Sequence, residues 1–388
     1  MSRIKMSRQN FEAIKNAALR LHKKAGGKFA VASKVPLRNA DDLKLVYTPG
    51  VGAVSSFLAK RPQELREYTM KGNSVAVVSD GSAVLGLGNI GPAGALPVME
   101  GKCLLFKKFA NIDAVPIVLA TQDTDEIVKT VKAISPAFGG INLEDISAPR
   151  CFEIEARLKR ELTIPVMHDD QHGTAIIILA GLMNALKVVG KKIGSAKIVI
   201  SGAGAAGTAT AKILIRAGAK NILVCDRQGI IYRGRKGFGK YKSELARITN
   251  KKKEQGDLSY ALRHADVLIG VSGPNLVSEV MARSMERNAI IFALANPIPE
   301  IMPDIARRAG VKIIATGRSD FPNQLNNSLV FPGVFRGALD NKTRVITEKM
   351  KLSAAYAISS LVPDPTPIKI VPSMFDKRLV KTVAAVIK

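Results

Sequence analysis

The stretch KIVISGAGAAGTATAKILIRAGAKNILVCD (197–226) decides the fold. KIVIS is a short run rich in β-branched residues, and it ends on a glycine-rich turn. A helix of small and apolar residues follows, closing at Gly218, and a second apolar run ends in Asp226. The spacing therefore predicts a strand–turn–helix–strand unit. Gly202 permits the tight turn, Gly204 lets backbone approach a pyrophosphate, and Gly207 allows the helix to pack closely. With Ala205 and Ala206 they place free amides and a helix N-terminus toward phosphates. Asp226, ending the next strand, is positioned to accept hydrogen bonds from an adenosine ribose. That favours NAD over NADP, although Arg227, Arg233 and Arg235 form a basic loop able to compensate a 2′-phosphate.

Outward from this unit, VLIGVS (267–272), AIIFALAN (289–296) and VKIIATG (311–317) read as further strands with short helices between them. Strands alternating with helices predict a doubly wound parallel sheet. Ligands bind at the C-terminal ends of such strands. Asn296 in ALANP, and Gly273 and Asn275 in GVSGPN, belong to that edge. Capping at Pro297 is the plainer role for Asn296. Upstream, strands are expected at 74–78 and 114–119, and helices at 9–25, 93–109, 124–135 and 172–188. The chain is thus α/β: an N-terminal α/β domain over 1–165, then a Rossmann-like dinucleotide-binding domain over 166–388. A helical tail at 343–361 is free to pack on either.

The bulk composition narrows the function classes. The chain has 388 residues, and 47% hydrophobic content is globular. Three scattered cysteines form neither a disulfide framework nor a metal cluster. The net charge of +26 invites a nucleic-acid reading. The basic residues are spread along the whole chain without any nucleic-acid motif, so no specific nucleic acid is expected. The densest runs, 232–242 and 251–253, read as solvated loops. No uninterrupted apolar run suggests a membrane span. The basic start MSRIKMSRQNFEAIKN is a poor secretory signal; a basic amphipathic organellar presequence is harder to dismiss, but Glu12 and the absence of a Ser-rich stretch weaken it, and a cytoplasmic enzyme is expected.

Two acidic pairs carry the chemistry. Glu144–Asp145 and Asp169–Asp170 each border a short apolar run. Glu144, Asp145 and Asp170 offer hard oxygens of the kind Mg²⁺ or Mn²⁺ takes. Residue type alone leaves solvated surface pairs equally open. His168 and His172 lack the partners of a zinc motif. Lys102, in EGK, is a candidate base if a site lowers its pKa, and Tyr47, before a Pro-Gly turn, is a candidate acid. A solvated lysine and a packed phenol are the ordinary readings.

These motifs, taken in order, resemble the malic enzymes in a short microbial form without an acyltransferase-like extension. They are YTPGV at Tyr47, VVSDGSAVLGLGNIGPAGALPVMEGK through Lys102, INLEDI, IPVMHDDQHGTA, the glycine fingerprint and NNSLVFPG (326–333). The resemblance implies metal-dependent oxidative decarboxylation of malate to pyruvate and carbon dioxide with reduction of NAD, NADP remaining possible. It implies that Glu144, Asp145 and Asp170 hold the metal and that Lys102 removes the C2 hydroxyl proton. It further implies that Asp169 tunes that lysine, that Tyr47 with Lys102 protonates the enol, and that Asn296 and Asn326 bind substrate, Asn327 being less certain. A homodimer is implied, with Tyr47 reaching a neighbour's cleft. One departure stands out: Ser82-Ala83 occupy the stretch where larger relatives carry a substrate-clamping arginine. A non-decarboxylating 2-hydroxy acid dehydrogenase and a catalytically idle Rossmann binding protein are the competing readings.

Overall fold

A computed structural model describes residues 8–84 and 86–388. The basic residues 1–7 lie outside the described residues. The first sheet has four parallel strands: β1 (Ser74–Ser79), β2 (Asp113–Val118), β3 (Gly140–Leu143) and β4 (Val166–His168), in the order β2-β1-β3-β4. The second has six: β5 (Lys197–Ser201), β6 (Asn221–Asp226), β7 (Gly229–Ile230), β8 (Val267–Gly270), β9 (Ile290–Ala293) and β10 (Ile313–Thr316), in the order β10-β9-β8-β5-β6-β7. Among the described strands of this sheet, β7 alone runs antiparallel. Strands buried on both faces read as continuous apolar runs, and SVAVVS in β1 is buried throughout. The strand order reverses between β5 and β8, which opens a crevice at their C-terminal ends.

The two sheets share one apolar core. The helix Asp169–Val189 follows β4 directly and lies between them, with Ile176, Ile178 and Leu179 buried beside Val75 and Ile198. Its 21 residues are long and apolar enough to cross a membrane by length and composition, but it is packed inside the protein. The run expected over 172–188 begins three residues earlier, so both members of the acidic pair sit in the first turn. Negative charge there is favoured by the helix dipole. The helix Phe331–Asp340 returns to the first sheet: Phe331 and Phe335 pack on Phe106 of helix Gly91–Ala110, with ring centroids 4.6 and 5.5 Å apart. Arg336 donates to Asn73 at 2.7 Å. The last third of the chain therefore closes over the first. β4 pairs with β3, so residues 166–168 lie in the first sheet.

The segment before β1 is different. It is tied to the body near its two ends: Lys28 donates from its amide to Glu100 at 2.9 Å and from its ammonium to the Pro97 carbonyl at 2.7 Å, Lys34 pairs with Asp113 at 2.5 Å, and Arg66 and Lys71 donate to the Gly139 and Phe138 carbonyls at 3.0 and 2.8 Å. Between those ties, helices Ala40–Val46 and Gly50–Lys60 bury none of their residues within the chain. Leu37, Leu43, Leu45, Val51 and Val54 are exposed there.

Candidate active site

Lys102 emerges from helix Gly91–Ala110 into a pocket of carboxylates. Its side chain is 7% exposed, and Nζ lies 2.5 Å from Asp169 Oδ2, 2.8 Å from Glu144 Oε1 and 4.1 Å from the Phe331 ring centroid. Glu144 follows β3 directly and also accepts from Asn142 Nδ2 at 2.8 Å. Asp145 adopts a left-handed backbone, φ 54°, and its amide donates to Asp170 Oδ2 at 2.8 Å. That turn brings the two distant acidic pairs together. One carboxylate oxygen from each of Glu144, Asp145 and Asp170 lies within 4.8 Å of the others.

The electrostatics favour an added cation. Four carboxylates (144, 145, 169 and 170) face one ammonium, a formal imbalance of three negative charges. Burial pushes Glu144 and Asp169 up to about 7 and Asp170 up to about 6. Each of these groups would return to its ordinary range beside a divalent ion. Asp169 Oδ1 is buried without a hydrogen-bond partner. The donor set of hard oxygens fits Mg²⁺ or Mn²⁺. The condition set for Lys102 as a base, a lowered pKa, is not met in this arrangement. Burial acts downward, but Asp169 and Glu144 outweigh it and hold the lysine above its ordinary value. In this arrangement it is an ammonium.

Small residues let this site assemble. Gly173, one turn after Asp169, has no room for a side chain: a Cβ there would lie 2.0 Å from Asp169 Oδ1 and 3.0 Å from Asn327 Cβ. Asn327 thus stands beside the Asp169 turn. Asn326 uses its Oδ1 to cap the Ser328 amide at 2.9 Å. Asn296 lies past the end of β9, half-buried. A Cβ on Gly86 would come within 1.5 Å of the Asn296 carbonyl, so glycine is what permits the first domain's loop to touch this edge. Ser82 accepts from the Ser147 amide at 2.9 Å and donates to Asp80 Oδ1 at 2.5 Å. It supports the loop that carries Asp145.

The dinucleotide turn has the predicted form. Gly202 has φ +118°, and a Cβ there would strike the Val271 carbonyl at 2.6 Å. A Cβ on Gly207 would lie 1.8 Å from the Gly202 carbonyl, whereas Gly204 faces open space. Ala205 and Ala206 begin the helix Ala205–Arg216. This cradle fits a pyrophosphate. Gly273 lies on the loop after β8, at the same edge.

Asp226 departs from the expectation. Its two oxygens accept from Arg235 Nη2 at 2.7 and 2.6 Å, and Oδ2 also accepts from Lys242 at 2.7 Å. The run 232–242, read as a solvated loop, therefore contributes two neutralising groups to the C-terminal end of β6, and Lys240–Ile248 is helical. The arginine was visible in the sequence, but its pairing depends on the β6–β7 hairpin folding it back.

Other supporting residues gave no signal in sequence. Glu155, on helix Arg150–Glu161, accepts from the His168 amide at 3.0 Å, from Lys159 at 2.7 Å and from His172 Nε2 at 2.9 Å. Lys351, 2% exposed, lies 2.9 Å from His172 Nδ1 and 2.7 Å from Glu348. This chain pins the β4–helix junction from behind. Tyr47 stands 66% exposed at the end of helix Ala40–Val46.

Residues 26–159 match the family described as malic enzyme, N-terminal domain, and residues 171–387 match malic enzyme, NAD binding domain. The chain belongs to the malic enzyme family. It is 56% identical over 360 residues to the NAD-dependent malic enzyme of Geobacillus stearothermophilus, covering 92% of this chain and 75% of that protein. It is 54% identical over 375 residues to the bifunctional malic/malolactic enzyme of Bacillus subtilis, covering 96% and 92%. The crystal structure of the NAD-dependent malic enzyme of Thermotoga maritima superposes with a TM-score of 0.92 at 49% identity, covering 96% of this chain and 98% of that one. As a malic enzyme the chain oxidises malate to pyruvate and carbon dioxide with reduction of NAD or NADP.

Proposed function

We propose that Lys102 and Asp169 form the proton-handling pair for malate, and that Glu144, Asp145 and Asp170 hold Mg²⁺ or Mn²⁺ beside them. The observation that carries this reading is one lysine within 2.5 and 2.8 Å of two carboxylates, one of which belongs to the three-oxygen cluster. A divalent ion there supplies a Lewis acid for the C2 oxygen and a sink for charge during decarboxylation, and the nicotinamide supplies the hydride acceptor. Glu144 either pairs with Lys102 or serves as a ligand. As a ligand it leaves Lys102 with Asp169 alone, removing one of the two anions that keep the ammonium protonated. Lys102 passes its own proton to Asp169, 2.5 Å away and raised to about 7, and as a neutral amine takes the C2 hydroxyl proton, with Asp169 also fixing its position. Phe331 covers the lysine and excludes water. Asn296 and Asn326, with Asn327 beside Asp169, bind the substrate's polar groups.

We infer that Tyr47 returns the proton at C3 from a second copy of the chain. The exposed apolar residues of 37–54 need a partner surface, and a twofold dimer offers one. For the cofactor, NAD is the expected choice. Arg235 and Lys242 cancel the charge by which Asp226 would repel a 2′-phosphate, so NADP remains usable and the preference is modest. Comparing kcat/KM for the two cofactors reads it directly; exclusive use of NADP would contradict it.

The test of the proton roles is Lys102→Ala. Malate oxidation is expected to fall by about 10²-fold or more, with NAD(P)H binding unchanged. Near-normal turnover would remove Lys102 from the mechanism.

A further inference from the structure

Glu300 is fully buried behind the cofactor crevice. Its Oε1 accepts from the Ser272 amide at 2.9 Å, and its Oε2 accepts from the Ala295 amide at 3.1 Å. The Ser272 hydroxyl lies 3.5 Å from Oε1 and 3.0 Å from Ser201 Oγ. One carboxylate thus links the C-terminal ends of β5, β8 and β9, the three strands that border the crevice. The sequence makes room for it: a Cβ on Gly270 would lie 2.4 Å from the Glu300 carboxyl carbon and 2.7 Å from each oxygen. Among the described residues no lysine, arginine or histidine forms an ion pair with it.

A buried carboxylate without a cation is costly, and it persists where something uses the charge. Burial raises the Glu300 pKa, and the Ser272 and Ala295 amides oppose that rise. A glutamine of the same shape accepts one of those amides and turns an NH₂ toward the other. Both loops held this way carry cofactor-edge residues, Gly273 on one and Asn296 on the other. The oxidised nicotinamide ring is cationic and the reduced ring is neutral.

We propose that Glu300 is a positioning residue for the nicotinamide end of the crevice, and that its fixed negative charge favours the oxidised over the reduced cofactor. This rests on the reading that the crevice takes NAD(P). It adds a bias that eases release of the reduced product.

The test is equilibrium binding to the full chain. The protein has no tryptophan, so NADH binding is followed by cofactor fluorescence without indole background, and NAD⁺ by calorimetry. Glu300→Gln is expected to weaken NAD⁺ about tenfold relative to NADH, the scale of one partly screened charge. Glu300→Asp and Ser272→Ala keep the charge and loosen the loops. They are expected to weaken both cofactors while holding the ratio within about twofold of the native value. An unchanged ratio in Glu300→Gln overturns the proposal. If that variant does not fold, a shifted ratio in either charge-retaining variant overturns it. A native chain that binds neither cofactor overturns the cofactor reading itself, which is a separate failure.

Discussion

Gly173→Ala isolates the geometry of the site from its chemistry, because it adds one methyl and removes no functional group. Gly173 lies inside the helix Asp169–Val189 with helical backbone, so alanine is not strained there and gains up to about 1 kcal/mol in helix propensity. The added Cβ would sit 2.0 Å from Asp169 Oδ1 and 2.8 Å from Asp169 Cγ. Real Cβ contacts do not fall below 3.0 Å, so the carboxyl must retreat by about 1 Å or its neighbours must shift. Asp169 is completely buried and holds Lys102 at 2.5 Å, so its retreat carries the lysine's anchor with it. Overpacking costs about 1–3 kcal/mol, partly offset by propensity, so net destabilisation is about 0–2 kcal/mol. A displacement of that size in a reacting constellation costs roughly 10²-fold in rate. The assay is malate-dependent NAD(P)H formation beside a thermal melt. A fall in kcat of about 10²-fold with a folded protein is the expected result. Native kcat in a folded Gly173→Ala would show that the Lys102–Asp169 contact does not govern catalysis.

Two other outcomes follow from particular contacts. Mixing and reassociating Tyr47→Phe and Lys102→Ala chains, each inactive alone, is expected to restore about one quarter of native activity, since half the dimers are hybrids with one intact site of two; no recovery would place Tyr47 in its own chain's cleft. Lys351 is depressed from 10.5 to about 8, chiefly by burial and then by Lys159. Below pH 8 it is charged in both folded and unfolded chains, and the folded state bears the burial cost. Between about 8 and 10.5 the folded chain sheds the proton first, so stability rises with pH by at most about 3 kcal/mol and levels off above that window. Denaturant unfolding of the native chain and Lys351→Met across pH 7–11 reads this difference; parallel curves would contradict it.

The sequence was legible where a motif acts through its own backbone. The turn of 202–207 needs only its local glycines, and the strands at 74–79 and 113–118 announce themselves by apolar runs. The acidic pairs were legible as candidates, since their borders on β3 and β4 set their place at a sheet edge. What stayed hidden depended on contacts made from far along the chain. Asp226 looked free because Arg235 and Lys242 reach it only after the hairpin turns. Lys102 was a candidate base on the condition that its site lowered its pKa, and two carboxylates from other elements instead hold its proton in place. The helix Asp169–Val189 was read from its apolar run and so lacked its acidic first turn, and no side chain of His168 caps it. Glu300 and Glu155 carried no periodic or spacing signal at all.

The most direct measurement is malate turnover by the purified chain with NAD or NADP, first stripped by excess chelator and then given Mg²⁺ or Mn²⁺, with Glu144→Gln in parallel. The account predicts that native activity vanishes with the chelator and returns with the ion, with pyruvate and carbon dioxide as products. Glu144→Gln should need a far higher ion concentration. Undiminished turnover in excess chelator would contradict it.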